Sequence, residues 1–217
     1  QSAIDAASNG DEIVVSPGEY QAPDNTAVVN MKGKAVWLHS ASSQYDTIIH
    51  GHFQRRGILC NSGETSTTVI EGFTIQNCVA TWQDWDGDGI QDSWETAGGG
   101  MANLHSSPSI IGCTFTANIG IESGGGMFNY ESNPSVTNCV FQWNSALSGD
   151  GGGMSNRMSS PDLINCEFNQ NDAELGGGMY NYDGSSPTLD SCTFLSNSAS
   201  YLGGGIYNRF FSEPTLD

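Results

Sequence analysis

Short apolar segments alternate with polar, glycine-rich ones along most of the chain, and the alternation is periodic. Three consecutive glycines occur five times, about 26 residues apart. Each triplet is followed by Met or Ile, one further residue and Asn, then by Pro-x-aliphatic, and in four units by Cys-x-Phe-x-x-Asn. Within each segment every second position is apolar, which is the period of a strand with one buried face. The pattern predicts three short strands per unit.

A unit of this size, with three strands joined by Gly and Asn bends, is typical of one coil of a parallel β-helix. Coils stack about 4.8 Å apart, so equivalent residues form columns inside the stack. We therefore predict an all-β, single-stranded parallel β-helix of about eight coils, forming one domain over residues 1–217. Two of its internal columns would be a stack of aromatic rings and a ladder of side-chain amides at the bends: Phe115, Phe141, Phe168 and Phe194, and Asn118, Asn144, Asn171 and Asn197.

The first seventy residues are less regular but compatible with the same fold. Ile4 lies in a short helix-like stretch, and we expect residues of about 1–10 to cap the open end of the stack. Aligning Ile70–Ile75 with Ile110–Phe115 places Phe73 in the cysteine column and Cys78 in the asparagine column. The chain begins within the helix-like stretch and stops within a repeat unit at Pro214–Asp217, and we expect a piece of a longer solenoid.

A dense acidic insertion interrupts the repeat at about residues 82–97. EF-hand-type calcium loops supply ligands from positions 1, 3, 5, 7, 9 and 12, with Gly at position 6. Counted from the first aspartate, Gly89 falls at position 6. The predicted ligands are Asp84, Asp86, Asp88, the carbonyl of Ile90, Asp92 and Glu95. The alternative is a solvated acidic loop, but its five carboxylates would repel one another without a metal. We therefore expect bound calcium.

The charge balance excludes several classes of partner. The chain has 24 acidic and 6 basic residues, with a formal net charge of −18. Nucleic acids and anionic membranes both need a clustered basic surface, so neither is an expected partner. No apolar run approaches the ~20 residues of a membrane span, so direct membrane insertion is not expected. The composition favours a secreted protein, located outside the cell or on its surface.

Six cysteines invite a disulfide interpretation, but their spacing argues against it. Four recur once per coil, about 4.8 Å apart, whereas a disulfide needs Cβ atoms near 3.8 Å. We favour a column of buried free thiols over bridges, and a tetrahedral metal site is not expected because the ligands do not converge. The column consists of Cys113, Cys139, Cys166 and Cys192, with Cys60 and Cys78 left unassigned.

His50, His52, Arg55 and Arg56 are the only cluster of basic residues. One interpretation makes a histidine a general base and the arginines a carboxylate clamp. The other is a turn in which the arginines pair with local acids. We favour the turn, because neither a nucleophile nor an acid pair accompanies the cluster.

Outward positions after the glycine triplets include a series of aromatic residues, which we call the aromatic wall: Phe128, Tyr130, Tyr180, Tyr182 and Tyr207. If these side chains face solvent, they form a candidate binding surface, because aromatic faces stack on sugar rings or on partner proteins. Packing beneath a neighbouring loop or in an oligomer contact is an equally good interpretation.

These motifs resemble known families. The repeats resemble those of polymorphic outer membrane proteins, although the third glycine and the frequent Met depart from the usual Gly-Gly-Ala-aliphatic pattern. The acidic insertion resembles thrombospondin type 3 repeats. The whole chain resembles right-handed parallel β-helices of the pectate-lyase-like superfamily, which implies a right-handed coil. That superfamily includes lyases, glycosidases and adhesins. No lyase catalytic motif matches this chain.

Two functions are predicted. The favoured one is a calcium-stabilised extracellular module for surface adhesion or carbohydrate binding, with an extracellular glycan or a cell-surface protein as its partner. The alternative is a polysaccharide lyase or glycosidase. A polyuronate lyase conflicts with the scarcity of cations, and the outward acids Asp162, Glu167 and Asp190 are scattered rather than paired. Open coil edges would also permit end-to-end self-association into filaments.

Overall fold

The computed structural model describes residues 1–22, 27–80, 82, 89 and 95–217. Within this part of the chain one short helix, α1 (Ser2–Ala6), precedes a series of short strands. The strands wind into an all-β, right-handed parallel solenoid of about seven turns. The predicted fold class is confirmed. The turn count is one lower than predicted, because the eight strands of the longest sheet enclose seven turns.

Strands stack into parallel sheets, each containing one strand from successive coils, and they are numbered in chain order. Sheet A contains β1 (Glu12–Val15), β4 (Trp37–Ser40), β7 (Val69–Glu71), β10 (Ser109–Ile111), β14 (Ser135–Thr137), β18 (Asp162–Ile164), β22 (Thr188–Asp190) and β26 (Thr215–Leu216). Sheet B contains β2 (Gly18–Tyr20), β5 (Thr47–His50), β8 (Thr74–Gln76), β11 (Thr114–Thr116), β15 (Val140–Gln142), β19 (Glu167–Asn169) and β23 (Thr193–Leu195).

Two further sheets complete the coils. Sheet C contains β3 (Val29–Asn30), β6 (Ile58–Cys60), β9 (Met101–Leu104), β13 (Met127–Tyr130), β17 (Met154–Arg157), β21 (Met179–Tyr182) and β25 (Ile206–Arg209). Sheet D contains β12 (Ile119–Gly120), β16 (Ser145–Ala146), β20 (Asp172–Leu175) and β24 (Ser198–Leu202). Each regular coil passes from sheet A to B, then D, then C. Sheet D was not predicted, because its short, small and polar strands carry no clear alternation.

The core consists of the predicted columns. Phe115, Phe141 and Phe168 are fully buried, and the rings from Phe115 to Phe194 are parallel, with centroids 4.7–4.8 Å apart. Phe73 lies beside Cys113 and Cys78 lies at the start of the amide ladder, as the alignment predicts. Ile4 of α1 is buried against the first coils. This helix covers apolar side chains that the end coil would otherwise expose.

The ladder asparagines lie inside the bends, and the residues before them turn the chain. Asn118, Asn144 and Asn171 are fully buried and Asn197 is half-buried, whereas the left-handed backbone conformation belongs to the residue before each one. Ala117, Trp143 and Gln170 have φ values of 52°, 54° and 54°. Each preceding residue turns the chain, so that the asparagine amide enters the core and bonds the next coil.

The glycine triplets provide a left-handed backbone position and a close approach to the core. Gly124, the first of its triplet, has a φ of 61°, a conformation that L-residues with side chains rarely adopt. A Cβ on Gly126, the third, would lie 2.5 Å from the carbonyl oxygen of Gly153 and 3.0 Å from the ring of Phe141. The triplet therefore lets the coil corner pack directly against the phenylalanine stack.

The cysteine column is buried and unbridged in this structure. Cys113, Cys139 and Cys166 are buried, and Cys192 is half-buried. The Sγ of Cys139 accepts the backbone N–H of Cys113 at 3.4 Å. The two cysteines outside the column each lie at the start of a ladder of asparagines. One is the amide ladder that begins at Asn118, and the other begins at Asn103. The N–H of Cys78 donates to Asn118, and Cys60 pairs in register with Asn103.

Candidate functional site

The aromatic wall belongs to the outward face of sheet C, where parallel pairing aligns equivalent residues in two columns. The inner positions between the columns hold Met or Ile and a buried Asn, as the alternation predicts. The first column is Ala102, Phe128, Ser155, Tyr180 and Tyr207, and the second is Leu104, Tyr130, Arg157, Tyr182 and Arg209.

The structure brings the aromatic wall together as one connected cluster. The Tyr180 ring stacks near Tyr182 and Tyr207, with centroids 6.0 and 5.9 Å apart. The guanidinium carbon of Arg157 lies 5.7 Å from the ring centre of Tyr130 and 5.6 Å from that of Tyr182. One arginine thus joins tyrosines from the coils on either side of it by cation–π contacts.

Only part of this cluster reaches solvent. Phe128 is 3% and Tyr180 5% exposed, whereas Tyr130, Tyr182 and Tyr207 are half-buried. Phe128 packs with Ala97 and other apolar neighbours. The aromatic wall is therefore the floor of a groove rather than an open face.

We call this feature the sheet C groove; its cavity volume is about 390 Å³. Opposite the tyrosines, its side is formed by the segments that lead into the glycine triplets. Asp150 forms β-bridges with Ser123 and Leu175, so three coils contribute equivalent positions. The groove lining includes three carboxylates, three serine hydroxyls, one arginine and three aromatic rings: Glu122, Asp150, Glu174, Ser123, Ser148, Ser155, Arg157, Phe128, Tyr180 and Tyr182.

The electrostatics of the groove centre on Asp150. Burial, followed by the neighbouring charges of Glu174 and Glu122, raises the pKa of this carboxyl to about 6, although Arg209 opposes the shift. Burial and the charge of Asp150 also raise the pKa of Tyr180 to about 12. The groove therefore combines a carboxyl that titrates near pH 6 with a tyrosine that stays protonated. Such a pair can both accept and donate hydrogen bonds.

The sequence carries one signal for these acids. Asp150 directly precedes a glycine triplet, and Glu122 and Glu174 lie two residues before theirs. An acid within two residues of three successive triplets places all three on the segments that enter the same corner of successive coils. The acids considered earlier lie elsewhere, Asp162 and Asp190 in sheet A and Glu167 in sheet B.

Comparison with protein families agrees with this architecture. A family model described as a right-handed β-helix region matches residues 7–213. The chain belongs to the right-handed β-helix family. No curated protein and no solved structure gives a significant match to this β-helix. Membership of this family establishes the fold alone, so the function has to be inferred from the groove.

Most of the predicted calcium ligands lie outside the described residues of this β-helix: Asp84, Asp86, Asp88, Ile90 and Asp92. Glu95 is described and fully buried. Its Oε2 accepts a 2.9 Å hydrogen bond from Nε1 of Trp82, across the base of the insertion. The calcium site stays a prediction.

The basic cluster of the β-helix is divided between two roles. Arg56 is buried and donates to the carbonyl oxygens of Glu95, Ala97 and Gly98 at 2.8–3.1 Å. Burial lowers the pKa of Arg56 to about 9, and Glu95 opposes this shift. Arg56 thus anchors the end of the acidic insertion to the coil below. Arg55 donates to the carbonyl oxygen of Ala22, so both arginines bond backbone oxygens, and Arg56 also feels the charge of Glu95.

The described residues include no helix with the length and apolar composition needed to cross a membrane.

Proposed function

We propose that this β-helix is an extracellular, calcium-stabilised module that binds neutral glycans in the sheet C groove. The observation that carries the proposal is the placement of stacked tyrosines opposite three carboxylates from consecutive coils in a single groove.

The chemistry of the groove suits sugars. A pyranose presents an apolar face that packs on an aromatic ring and hydroxyls at its edge that donate to carboxylates. Tyr182 supplies a half-buried ring, and Glu122 and Glu174 supply half-buried acceptors. The volume of about 390 Å³ falls within the usual range for small-ligand sites.

The charges of the groove favour neutral over acidic glycans. Three carboxylates line it, and the one arginine in its lining, Arg157, already lies between two tyrosine rings. A uronate or sulfate group would be repelled by these carboxylates, since Arg157 is held by the tyrosine rings and Arg209 already acts on Asp150. Hydroxyl groups meet no such penalty.

An extracellular setting is supported by the sequence motifs. The repeats resemble those of polymorphic outer membrane proteins, and the acidic insertion resembles extracellular calcium loops, which bind at the millimolar calcium levels outside cells. The formal charge of −18 also favours a calcium-containing medium, where the insertion is neutralised.

A glycosidase acting on neutral glycans is the second candidate, and Asp150 favours it. A glycosidase needs a protonated acid beside an ionised carboxylate, with the two carboxyl groups about 5–10 Å apart. Burial raises the pKa of the Asp150 carboxyl to about 6, and Glu174 lies close enough for its charge to contribute to that shift.

Glycan binding is tested with an array of neutral and acidic oligosaccharides, followed by titration of the best ligand. Tyr182→Ala is expected to weaken binding about tenfold, because a stacked ring contributes on the order of 1.4 kcal/mol. Tyr201→Ala, which removes a tyrosine that is 72% exposed on β24, is the matched control and should leave affinity unchanged.

The outcomes separate the two candidates. Binding without turnover that is weakened by Tyr182→Ala and Glu174→Gln supports the binding module. Turnover of a neutral glycan that Asp150→Asn abolishes supports the glycosidase. Preferential binding of acidic glycans, or equal effects of Tyr182→Ala and Tyr201→Ala, would overturn the placement of the site.

A further inference from the structure

A second cluster of chemically active side chains lies at the other end of the molecule, far along the stack from the sheet C groove. One ligand atom from each of Glu19, His50 and His52 lies within 4.8 Å of the other two. Glu19 is in β2 and pairs with Ile48 of β5, whereas His50 is the last residue of β5. The cluster therefore connects the first two strands of sheet B.

The turn after β5 is built to bring the two histidines together. A Cβ on Gly51 would lie 2.5 Å from both the Cα of Cys78 and the carbonyl oxygen of Arg55, so only glycine fits. His52 and Phe53 then adopt left-handed φ values of 53° and 55°. As a result the His52 ring returns beside His50, with ring centres 4.0 Å apart.

The next coil fixes this turn in place. The N–H of Gly51 donates to the carbonyl oxygen of Gln76 at 3.1 Å, and that of Phe53 donates to Asn77 at 2.6 Å. Two consecutive non-glycine residues in the left-handed region are costly, so these bonds hold a conformation that the local sequence would not adopt alone.

Hydrogen bonds also orient the imidazole of His50. Its Nδ1 accepts the backbone N–H of His52 at 2.9 Å, and its Nε2 is 3.0 Å from the amide of Asn77. Because Nδ1 accepts this N–H, it holds a lone pair on the side of His52, while the amide nitrogen of Asn77 contacts Nε2 on the other side of the ring. A hydrogen bond to the second nitrogen is the usual way in which a metal-ligating imidazole is oriented.

We propose that Glu19, His50 and His52 bind a transition-metal ion of the Zn²⁺ class, which joins the first coil to the second. Two imidazoles and one carboxylate are typical ligands for Zn²⁺, whereas calcium prefers oxygen ligands alone. The ion would replace the hydrogen bond between the His52 N–H and Nδ1 of His50. The 3.4 Å between Nε2 of His52 and Oε1 of Glu19 already matches the separation of two ligand atoms on one tetrahedral Zn²⁺.

The surroundings of the cluster agree with this assignment. The side chains of His52 and Glu19 are 40% and 48% exposed, so an ion can enter and solvent can complete its coordination. The other two histidines, His39 and His105, each contact one glutamate and form no two-imidazole cluster.

Isothermal titration with Zn²⁺ tests the site, with excess Ca²⁺ present to occupy carboxylate sites. The parent carries Cys192→Ser, because this half-buried thiol could also bind Zn²⁺. His50→Ala, His52→Ala and Glu19→Gln are compared with the control His105→Ala, which removes a histidine that faces a single glutamate, Glu131. The parent should bind one equivalent, and each histidine variant should weaken binding about tenfold or more.

Thermal unfolding provides a second readout. Zn²⁺ should raise the Tm of the parent and of His105→Ala, because it binds only the folded coils, and should leave His52→Ala unshifted. His52→Gln replaces His52→Ala if the latter fails to fold. Undiminished Zn²⁺ affinity in the histidine variants, a parent that binds no Zn²⁺, or an equal rise in Tm in every variant would overturn the proposal. None of these results depends on glycan binding.

Discussion

Nδ2 of Asn118 donates a 3.0 Å hydrogen bond to Oδ1 of Asn144 on the next coil, and the same oxygen accepts the backbone N–H of Asn118 at 3.0 Å. The Nδ2 of Asn144 in turn donates to the carbonyl oxygen of Phe115 and to Asn171. One buried amide therefore satisfies polar groups on the coils either side of it. The buried polar groups at each coil corner therefore depend on the neighbouring coil for their hydrogen bonds.

Asn144→Leu should destabilise the protein by about 3 kcal/mol. The substitution keeps the side-chain volume but leaves buried donors and acceptors without partners, at about 1–3 kcal/mol each. Urea unfolding measures the difference. The control is Asn133→Leu, whose exposed Oδ1 also bonds the adjacent coil by accepting the N–H of Ser160 at 2.6 Å, and it should change stability by no more than about 0.5 kcal/mol. Equal losses in both variants would mean that burial of the ladder has no energetic consequence.

Much of the fold could be predicted because the same physical constraint recurs on every coil. The ring of Phe141 stacks between that of Phe115 below it and that of Phe168 above it. A residue position within one repeat unit therefore corresponds to a whole column in the structure. Backbone conformation was harder to predict. The left-handed turn is imposed on Ala117 and Trp143 by tertiary hydrogen bonds, and neither residue type favours that conformation.

The site was harder to predict than the fold for a related reason. Tyr180 and Tyr182 follow the strand alternation and were found from it. Asp150 lies in a segment that carries no alternation, and its position opposite Tyr180 depends on how sheet D returns to sheet C. Outward residues are not constrained by core packing, so the repeat pattern alone does not show which of them meet across a groove.

Calcium should stabilise the protein through the acidic insertion. Chelation is expected to lower the Tm, because the clustered carboxylates repel one another once the ion is removed. Asp88→Ala should bind calcium at least about tenfold more weakly, measured by titration calorimetry. Asp190→Ala removes an exposed acid on β22 and is the matched control. A Tm that is insensitive to chelation, together with unchanged binding by Asp88→Ala, would show that the insertion is merely solvated.

The pKa of Asp150 predicts a pH-dependent contribution to stability. Because its folded pKa of about 6 is above the ordinary value of 3.8, the folded chain binds a proton more tightly than the unfolded chain. The contribution of this group is therefore most favourable below about pH 4 and is lost as the pH rises through about 6. Asp150→Asn should be stabilising relative to the parent at pH 8, with the difference shrinking towards pH 4, as measured by urea unfolding.

Asp46 provides a control of opposite sign. Hydrogen bonds from the hydroxyls of Ser42 and Ser43 lower the pKa of its carboxyl. Its contribution is present above its ordinary pKa and is lost on acidification, so Asp46→Asn should be destabilising at pH 8 and nearly neutral at low pH. If both variants show the same pH trend, the burial of Asp150 does not control its titration.

Thiol reactivity should distinguish the half-buried end of the cysteine column from its buried interior. Cys192 is half-buried, and its hydrogen bond with Cys166 lowers its pKa, so it carries the most accessible thiolate. Burial raises the pKa of Cys139 and encloses its thiol between neighbouring coils. In the native 217-residue chain, a chromogenic disulfide reagent should label one thiol quickly and the other five only through slow opening of the coils.

Cys192→Ser should abolish the fast phase, and Cys139→Ser should leave it intact. Two fast-reacting thiols in the native protein would contradict the buried column. The total measured in denaturant tests the unbridged state, because six reactive thiols are expected only if no cysteine is oxidised. A total of four would mean that neighbouring coils distort enough to bring two sulfurs to bonding distance. The close stacking of Phe115, Phe141 and Phe168 beside the column opposes that distortion, so six is the expected result.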